Sequence, residues 1–130
     1  MGASQRRKGA DAERELRRRL VDLLGEELAG QVSQDRSGGC DIVGVGRFAI
    51  EVKRRERPEI ESWWVQACDQ AEARGQWPAL AWRQSRRPWQ VLVPLQTILG
   101  GEADPRAAPR AALDLEGFSL LVREVEEAAR

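Results

Sequence analysis

The stretch CDIVGVGRFAIEVK, residues 40–53, carries the strongest structural signal in the sequence. Two strand-like runs, 40–45 and 47–53, flank a Gly-Val-Gly turn. β-Branched side chains favour strands, and glycine adopts the positive φ angles that tight hairpin turns require. The stretch therefore predicts an antiparallel hairpin centred on Gly46.

The second strand of this hairpin separates apolar from charged side chains. Side chains alternate between the two faces of a strand, so Glu51 and Lys53 share one face. The opposite face is apolar and comprises Phe48, Ile50 and Val52. On the first strand, Asp41 is five residues from Gly46, as Glu51 is on the second. We therefore expect the two carboxylates to face each other, with Cβ atoms roughly 4.5–5.5 Å apart.

Two carboxylates at that separation repel each other unless positive charge compensates them. A divalent cation bound between Asp41 and Glu51 would do so, and Lys53 adds a positive charge on the same face. The alternative is an exposed hairpin face on which Lys53 forms an ordinary ion pair with one carboxylate. The first interpretation predicts a metal site, and the second predicts a solvated surface.

A third acidic residue comes from a helix predicted at residues 9–29. Its apolar stripe recurs at helical spacing and comprises Ala12, Leu16, Leu20, Leu23 and Leu24. Glu13 lies on that stripe, so we expect its carboxylate to point towards the core. A buried acid needs a partner, and a metal ion held by Asp41 and Glu51 would supply one. The alternative is a glutamate at the edge of the stripe that reaches solvent or an arginine.

The rest of the chain adds strands and helices to the hairpin. The other predicted elements are an edge strand at 31–36, a helix at 59–74 that Pro58 opens and Gly75 closes, strands at 78–83 and 89–94, a loop at 100–109 and a helix at 114–129. The predicted order is α-β-β-β-α-β-β-α. It describes one α/β or α+β domain over residues 1–130, with a central mixed sheet flanked by helices.

Composition excludes several kinds of chemistry. The 130 residues suffice for one domain with its own core. The chain has no histidine, and its only cysteines, Cys40 and Cys68, match no metal-binding spacing. We therefore expect no zinc site and no histidine-based catalysis, and we expect both thiols to be buried and reduced. Catalysis must use carboxylates, Lys or Arg, or a hard cation bound through oxygen.

The sequence also indicates where the protein works. No apolar run approaches the roughly 18 residues that a membrane helix requires. The basic N-terminus is not followed by the apolar segment of a secretory signal. We therefore expect a cytoplasmic protein that does not enter the membrane.

Positive charge is clustered, although the formal net charge is zero. Clusters lie at the N-terminus, directly after the hairpin and at residues 83–87, and such clusters suit contact with phosphates. The alternative is a solvated surface in an arginine-rich chain. The basic candidates for DNA contact are Arg6, Arg7, Lys8, Arg36, Arg54, Arg55 and Arg57.

These residues resemble the motifs of the PD-(D/E)XK nuclease superfamily. The matching motifs are Glu13 on the first helix, Gly-Gly-Cys-Asp ending at Asp41, and Ala-Ile-Glu-Val-Lys ending at Lys53. The opening KGADAEREL, residues 8–16, and the compact size look like the archaeal and phage type of Holliday junction resolvase. The resemblance spans residues 6–95 and implies a restriction-endonuclease-like core. It departs from the motif at Cys40, where a proline usually precedes the aspartate.

The resemblance implies a role for each matching residue. Glu13, Asp41 and Glu51, together with the carbonyl of Val52, would bind Mg²⁺ or Mn²⁺. Lys53 would orient the attacking water, help to deprotonate it and stabilise the developing charge.

Three further residues are implied as DNA contacts. Ser37 resembles a serine that touches the scissile strand from the loop before the aspartate. Gln66 and Gln70 resemble the auxiliary glutamine position of the superfamily. For these two, the alternative is a pair of solvated amides beside the tryptophans of the second helix.

The implied function is that of a Holliday junction resolvase. Such an enzyme is a homodimer that cuts opposing strands of a four-way DNA junction, here in a prokaryotic or phage-infected cell and without a small-molecule cofactor. One alternative is another small nuclease of the superfamily, acting on flap, nicked or end DNA in repair. Another is a catalytically silent module for DNA binding or dimerisation.

Overall fold

The computed structural model describes residues 2–29, 31–34 and 40–129, and the side chains of residues 9–29 and 44–129. Its helices are α1 (Gly2–Leu24), α2 (Ile60–Arg74), α3 (Gln96–Leu99) and α4 (Leu115–Ala128). Its strands are β1 (Gln31–Gln34), β2 (Cys40–Val45), β3 (Phe48–Arg54), β4 (Trp77–Arg83), β5 (Gln90–Pro94) and β6 (Arg110–Leu113).

The six strands of the described residues form one mixed sheet in the order β1 to β6. Neighbouring strands are antiparallel except β3 and β4, which run parallel. A parallel pair needs a crossover connection, and α2 supplies it. The carboxyl ends of β3 and β4 therefore lie side by side at the same end of the sheet.

Helices cover both faces of the sheet. On one face, α1 and α4 contribute Leu16 and Phe118 to a core that includes Phe48, whose ring meets that of Phe118 edge-on at 5.3 Å. On the other face, α2 packs Trp64 into a second cluster around Leu80. The predicted fold class, a mixed sheet flanked by helices, is confirmed. None of the helices in the described part of the chain is long and apolar enough to span a bilayer.

The first helix differs from the prediction at both ends. It was predicted at 9–29, but α1 covers Gly2–Leu24. Gly25 follows with a φ of 87° and donates its N–H to the carbonyl of Val21 at 2.8 Å. A glycine in the left-handed region ends a helix at little conformational cost, so α1 ends at Gly25, directly after its last apolar residues.

The hairpin forms as predicted, with a turn displaced by one residue. Val45 pairs with Phe48, so the turn consists of Gly46 and Arg47 instead of the predicted Gly-Val-Gly. Further from the turn, Ile42 pairs with Ile50. The register shifts by one residue between these two pairs. This segment contains Gly44, which has a φ of 72°.

Two short elements are absent from the predicted order. Helix α3 and strand β6 lie in the C-terminal part of the chain, on either side of the predicted loop 100–109. The sequence of β6, Arg-Ala-Ala-Leu, has neither β-branched residues nor alternation. It becomes a strand because it pairs with β5, Leu92 lying opposite Ala112. Tertiary pairing here overrides local preference.

Candidate active site

Strand β3 brings Glu51 and Lys53 together near its carboxyl end. The Lys53 Nζ atom lies 3.4 Å from Glu51 Oε1. The Glu51 side chain is 6% exposed and that of Lys53 is 21% exposed. The pair therefore combines a buried carboxylate with an ammonium group that still reaches solvent.

The parallel pairing with β4 determines what surrounds this pair. Glu51 lies in register with Leu80, and Lys53 lies in register with Trp82. These two neighbours belong to the apolar cluster under α2, where Trp82 meets Trp63 at a ring distance of 6.4 Å. The two charges consequently lie against an apolar surface with a lower dielectric constant than water, so their electrostatic interaction is stronger than it would be in water.

Asp41 is in β2, the strand that neighbours β3. Ile42 pairs with Ile50, and that register, continued by one residue, sets the Asp41 backbone opposite Glu51. This is the alignment that the hairpin predicted. The side chain of Asp41 lies outside the described residues, as do Ser37 and Arg36 entirely. Within the residues that are described, no three His, Cys, Asp or Glu side chains are grouped to hold a metal ion.

Glu13 is buried, as its place on the apolar stripe of α1 predicted. Its residue exposure is 5%, beside Ala12 at 1% and Leu16 at 0%. Glu13 also has an interaction partner of its own in the structure. Its inward orientation is therefore confirmed, whereas its role as a metal ligand stays a prediction. The same holds for the carbonyl of Val52, a buried residue of β3.

The predicted DNA contacts divide into exposed, partly buried and undescribed residues. Arg55, Arg57 and Gln66 are exposed, whereas Arg54 and Gln70 are partly buried. Arg6, Arg7 and Lys8 are in the first turns of α1, and their side chains lie outside the described residues. The exposed arginines follow directly after Lys53, where the chain leaves the sheet.

The sequence did not reveal a cluster that fastens α1 to the same end of the sheet. Arg83 Nη2 donates to Glu15 Oε2 at 3.2 Å, and Trp89 Nε1 donates to Glu15 Oε1 at 3.1 Å. The Arg83 guanidinium also lies 5.6 Å from the centre of the Trp89 ring. The cluster therefore fixes the position of α1 against the end of β4. No local signal could have revealed it, since its members are 68 and 74 residues apart.

The tryptophans and Cys68 are structural in the described residues. Trp63, Trp64 and Trp89 are buried, and Trp64 Nε1 donates to the carbonyl of Pro105 at 2.9 Å. Cys68 is a buried free thiol, as predicted, and burial raises its pKa to about 11. The side chain of Cys40 lies outside the described residues.

The donor chemistry of the site suits a hard cation. The chain offers no imidazole. The thiol of Cys68 belongs to the apolar cluster under α2. Oxygen ligands such as the carboxylate of Glu51 are the ligands that Mg²⁺ and Mn²⁺ prefer, and Lys53 beside it supplies a second positive charge.

The sequence and the fold both have relatives among known proteins. A family model described as "Phage putative PDDEXK endonuclease" matches residues 4–127. No curated protein matches the sequence significantly. Among solved structures, the chain is similar to Hjc, a Holliday junction resolvase from the archaeal hyperthermophile Archaeoglobus fulgidus. The two share 22% identity and a TM-score of 0.45 over 87% of this chain and 88% of that one.

Proposed function

The chain belongs to the phage PDDEXK endonuclease family, and from this premise we propose that it hydrolyses DNA phosphodiester bonds with a divalent metal ion held beside Glu51 and Lys53. The observation that carries the proposal is the ion pair of these two residues, 3.4 Å apart, with the carboxylate buried and the ammonium group partly exposed. A carboxylate and a lysine on one face of a strand, at the end of a sheet, are what the Glu-x-Lys motif of such nucleases requires.

Glu13, Asp41 and Glu51, with the carbonyl of Val52, would hold Mg²⁺ or Mn²⁺. When bound, such an ion lowers the pKa of its water ligand and compensates negative charge on the phosphate. Two of the three carboxylates, those of Glu13 and Glu51, belong to buried residues. Buried carboxylates suit this role because a bound cation offsets the free energy that their desolvation costs.

The protein's own groups would position the reactants. Lys53 Nζ has three N–H donors, and its partial exposure lets it donate to a phosphate oxygen or to the attacking water. Glu51, fixed between two neighbouring strands, keeps Lys53 in place before substrate binds. Ser37 would contact the scissile strand, and Gln66 and Gln70 would assist from α2.

The finer proposal concerns the substrate. The order of Glu13, Asp41, Glu51 and Lys53 in one short domain supports a Holliday junction resolvase, active as a homodimer in the cytoplasm of a prokaryotic or phage-infected cell. Each protomer would then cut one of two opposing strands of a four-way junction. Cleavage of flap, nicked or end DNA and binding without cleavage are the competing outcomes of the test.

The test offers the purified protein a four-way junction, linear duplex, single strand and flap, each with Mg²⁺, Mn²⁺ or EDTA. We expect paired nicks in opposing strands of the junction, and none in EDTA. Glu51→Gln should abolish nicking while junction binding remains. Glu124→Gln, which changes an exposed acid on α4, is the matched control and should cut like the unchanged protein.

The outcomes separate the two levels of the proposal. Equal cutting of all four substrates would reject junction selectivity but keep the nuclease. Full cleavage by Glu51→Gln would reject the metal site. Junction binding without any cleavage in either metal would favour a silent module.

A further inference from the structure

A second group of charges lies beside the candidate active site. Strands β3 and β4 end at Arg54 and Arg83, which are partners in the parallel register. The loops that follow, 55–59 and 84–89, therefore leave the same end of the sheet, within a few residues of Lys53. They carry four exposed arginines, here called the arginine rim: Arg55, Arg57, Arg86 and Arg87.

Hydrogen bonds join the two loops into one unit. Gln84 Nε2 donates to the carbonyl of Glu56 at 2.9 Å, and the Ser85 N–H donates to Glu56 Oε1 at 3.1 Å. Below them, the Arg55 N–H donates to the carbonyl of Arg83 at 3.2 Å. Glu56 is thus an acidic residue in the middle of the arginines, and its side chain holds the backbone of the second loop. This arrangement joins the two loops that carry the four arginines.

The backbone at Arg86 is unusual. Arg86 has a φ of 63° and is the only non-glycine residue of the described chain with a positive φ. Glycine adopts this conformation without strain, and other residues rarely do. Backbone strain of this kind is typical of functional sites, where the surrounding structure maintains it.

We propose that the arginine rim is a second phosphate-binding site, which holds the DNA backbone to one side of the bond cut at Glu51 and Lys53. The proposal rests on the proposed function and unites Arg55 and Arg57, two of the predicted DNA contacts, with Arg86 and Arg87 in one site. Arg86 is four residues beyond Trp82, the register partner of Lys53. At no more than roughly 3.6 Å per residue, and with about 4.8 Å between paired strands, the Cα atom of Arg86 lies at most about 19 Å from that of Lys53. One DNA strand rises about 3.4 Å per nucleotide, so the rim suits phosphates up to about five nucleotides away.

The test compares two double variants of equal charge. Arg86→Ala/Arg87→Ala removes half of the rim. Arg47→Ala/Arg74→Ala removes two exposed arginines from the opposite end of the sheet, where Arg47 is in the hairpin turn and Arg74 ends α2. The affinity of each for a labelled four-way junction is measured in EDTA, which prevents metal-dependent cleavage, at several salt concentrations. Thermal unfolding checks that both variants are folded.

The expected result is a change in salt dependence. Each lost phosphate contact makes the negative slope of log K against log salt shallower by about 0.9, so the rim variant should have a slope shallower by about 1.8 for each bound protomer. Between 50 and 200 mM salt, the unchanged protein should then lose about twelvefold more affinity than the rim variant for each bound protomer. The control variant should keep the slope of the unchanged protein. A rim variant with an unchanged slope, or one that matches the control, would overturn the proposal.

Substitutions of Glu56 distinguish two effects on DNA binding: the hydrogen bond by which Glu56 holds the second loop, and the negative charge of its carboxylate. Removing an acid from a basic surface should strengthen DNA binding if charge alone matters. Glu56→Gln keeps an oxygen for the Ser85 N–H, so it should bind at least as tightly as the unchanged protein. Glu56→Ala loses that acceptor and should bind more weakly, despite its more positive charge. Tighter binding by Glu56→Ala would show that Glu56 does not brace the rim.

These outcomes differ from failure of the proposed function. If the unchanged protein neither cuts nor binds any DNA, the nuclease proposal fails and the rim proposal fails with it. If the unchanged protein cuts DNA and the rim variant has the same salt slope and the same cleavage rate, the rim proposal alone fails.

Discussion

Replacing Lys53 with methionine tests whether Glu51 depends on it for charge compensation. The two charged atoms are 3.4 Å apart, and the Glu51 side chain is only 6% exposed. At an effective dielectric constant of about 20, unit charges at this distance attract each other by about 5 kcal/mol. Removing one partner of a buried pair costs about 3–5 kcal/mol, because the other charge stays buried. Since Lys53 is partly exposed, we expect Lys53→Met to lower the free energy of unfolding by about 3 kcal/mol.

The reverse substitution should cost much less. In Glu51→Gln the lysine keeps its charge, but its four-carbon stem can carry the ammonium group into solvent. We expect this variant, and the double variant Glu51→Gln/Lys53→Met, to lie within about 1 kcal/mol of the unchanged protein. The double-mutant cycle should therefore give a coupling energy of about 2 kcal/mol or more.

The assay is urea unfolding at pH 7 in EDTA, followed by the same measurement with Mg²⁺. Arg55→Met, which removes an exposed cation two residues further on, should change stability by less than about 0.5 kcal/mol. At one hundred times its dissociation constant, a cation that binds only the native state adds about 2.7 kcal/mol. We expect Mg²⁺ to restore most of the loss in Lys53→Met and to add little to Glu51→Gln. Equal stability of Lys53→Met and Arg55→Met would refute the reasoning.

Three further predictions concern single residues. Gly9 lies within α1, and a Cβ there would meet nothing within 4 Å. Because alanine favours a helix more than glycine does, Gly9→Ala should raise the free energy of unfolding by about 0.5–1 kcal/mol. A lower urea midpoint would contradict this. Arg86→Gly relieves left-handed strain of about 1–2 kcal/mol against an entropy cost of about 0.5–1 kcal/mol, so stability should rise by up to about 1.5 kcal/mol while junction affinity falls. Burial raises the pKa of Cys68 to about 11, so in a Cys40→Ser background the native protein should resist iodoacetamide at pH 8 and react once unfolded. Rapid labelling of the native protein at pH 8 would show that the thiol is accessible.

The sequence predicted those features that depend on neighbours along the chain. Glu51 and Lys53 share a face because they are two residues apart on a strand, and period-two alternation is a local property. The hairpin follows from the glycine-containing turn, although its register next to the turn is shifted by one residue. The end of α2 follows from Gly75, which adopts the left-handed conformation of a helix cap. The inward orientation of Glu13 followed from helical periodicity alone.

Features that depend on distant pairing were not predicted. Strand β6 forms because it pairs with the edge of β5, although its own residues do not favour a strand. The contact of Glu15 with Arg83 and Trp89 joins residues on three elements, and only the folded sheet brings them together. The same is true of Glu56, whose bonds to Gln84 and Ser85 create the arginine rim.

The parallel pairing of β3 with β4 has a consequence for the order of folding. The hairpin of β2 and β3 closes through a two-residue turn and can form early, because its contacts are local. The apolar surface beside Lys53 forms later. Trp82 lies beside Lys53 only after the segment 55–76, which contains α2, has crossed over and β4 has paired with β3. In a chain still emerging from the ribosome, we therefore expect the hairpin that carries Glu51 and Lys53 to form before the apolar residues of β4 pack beside it.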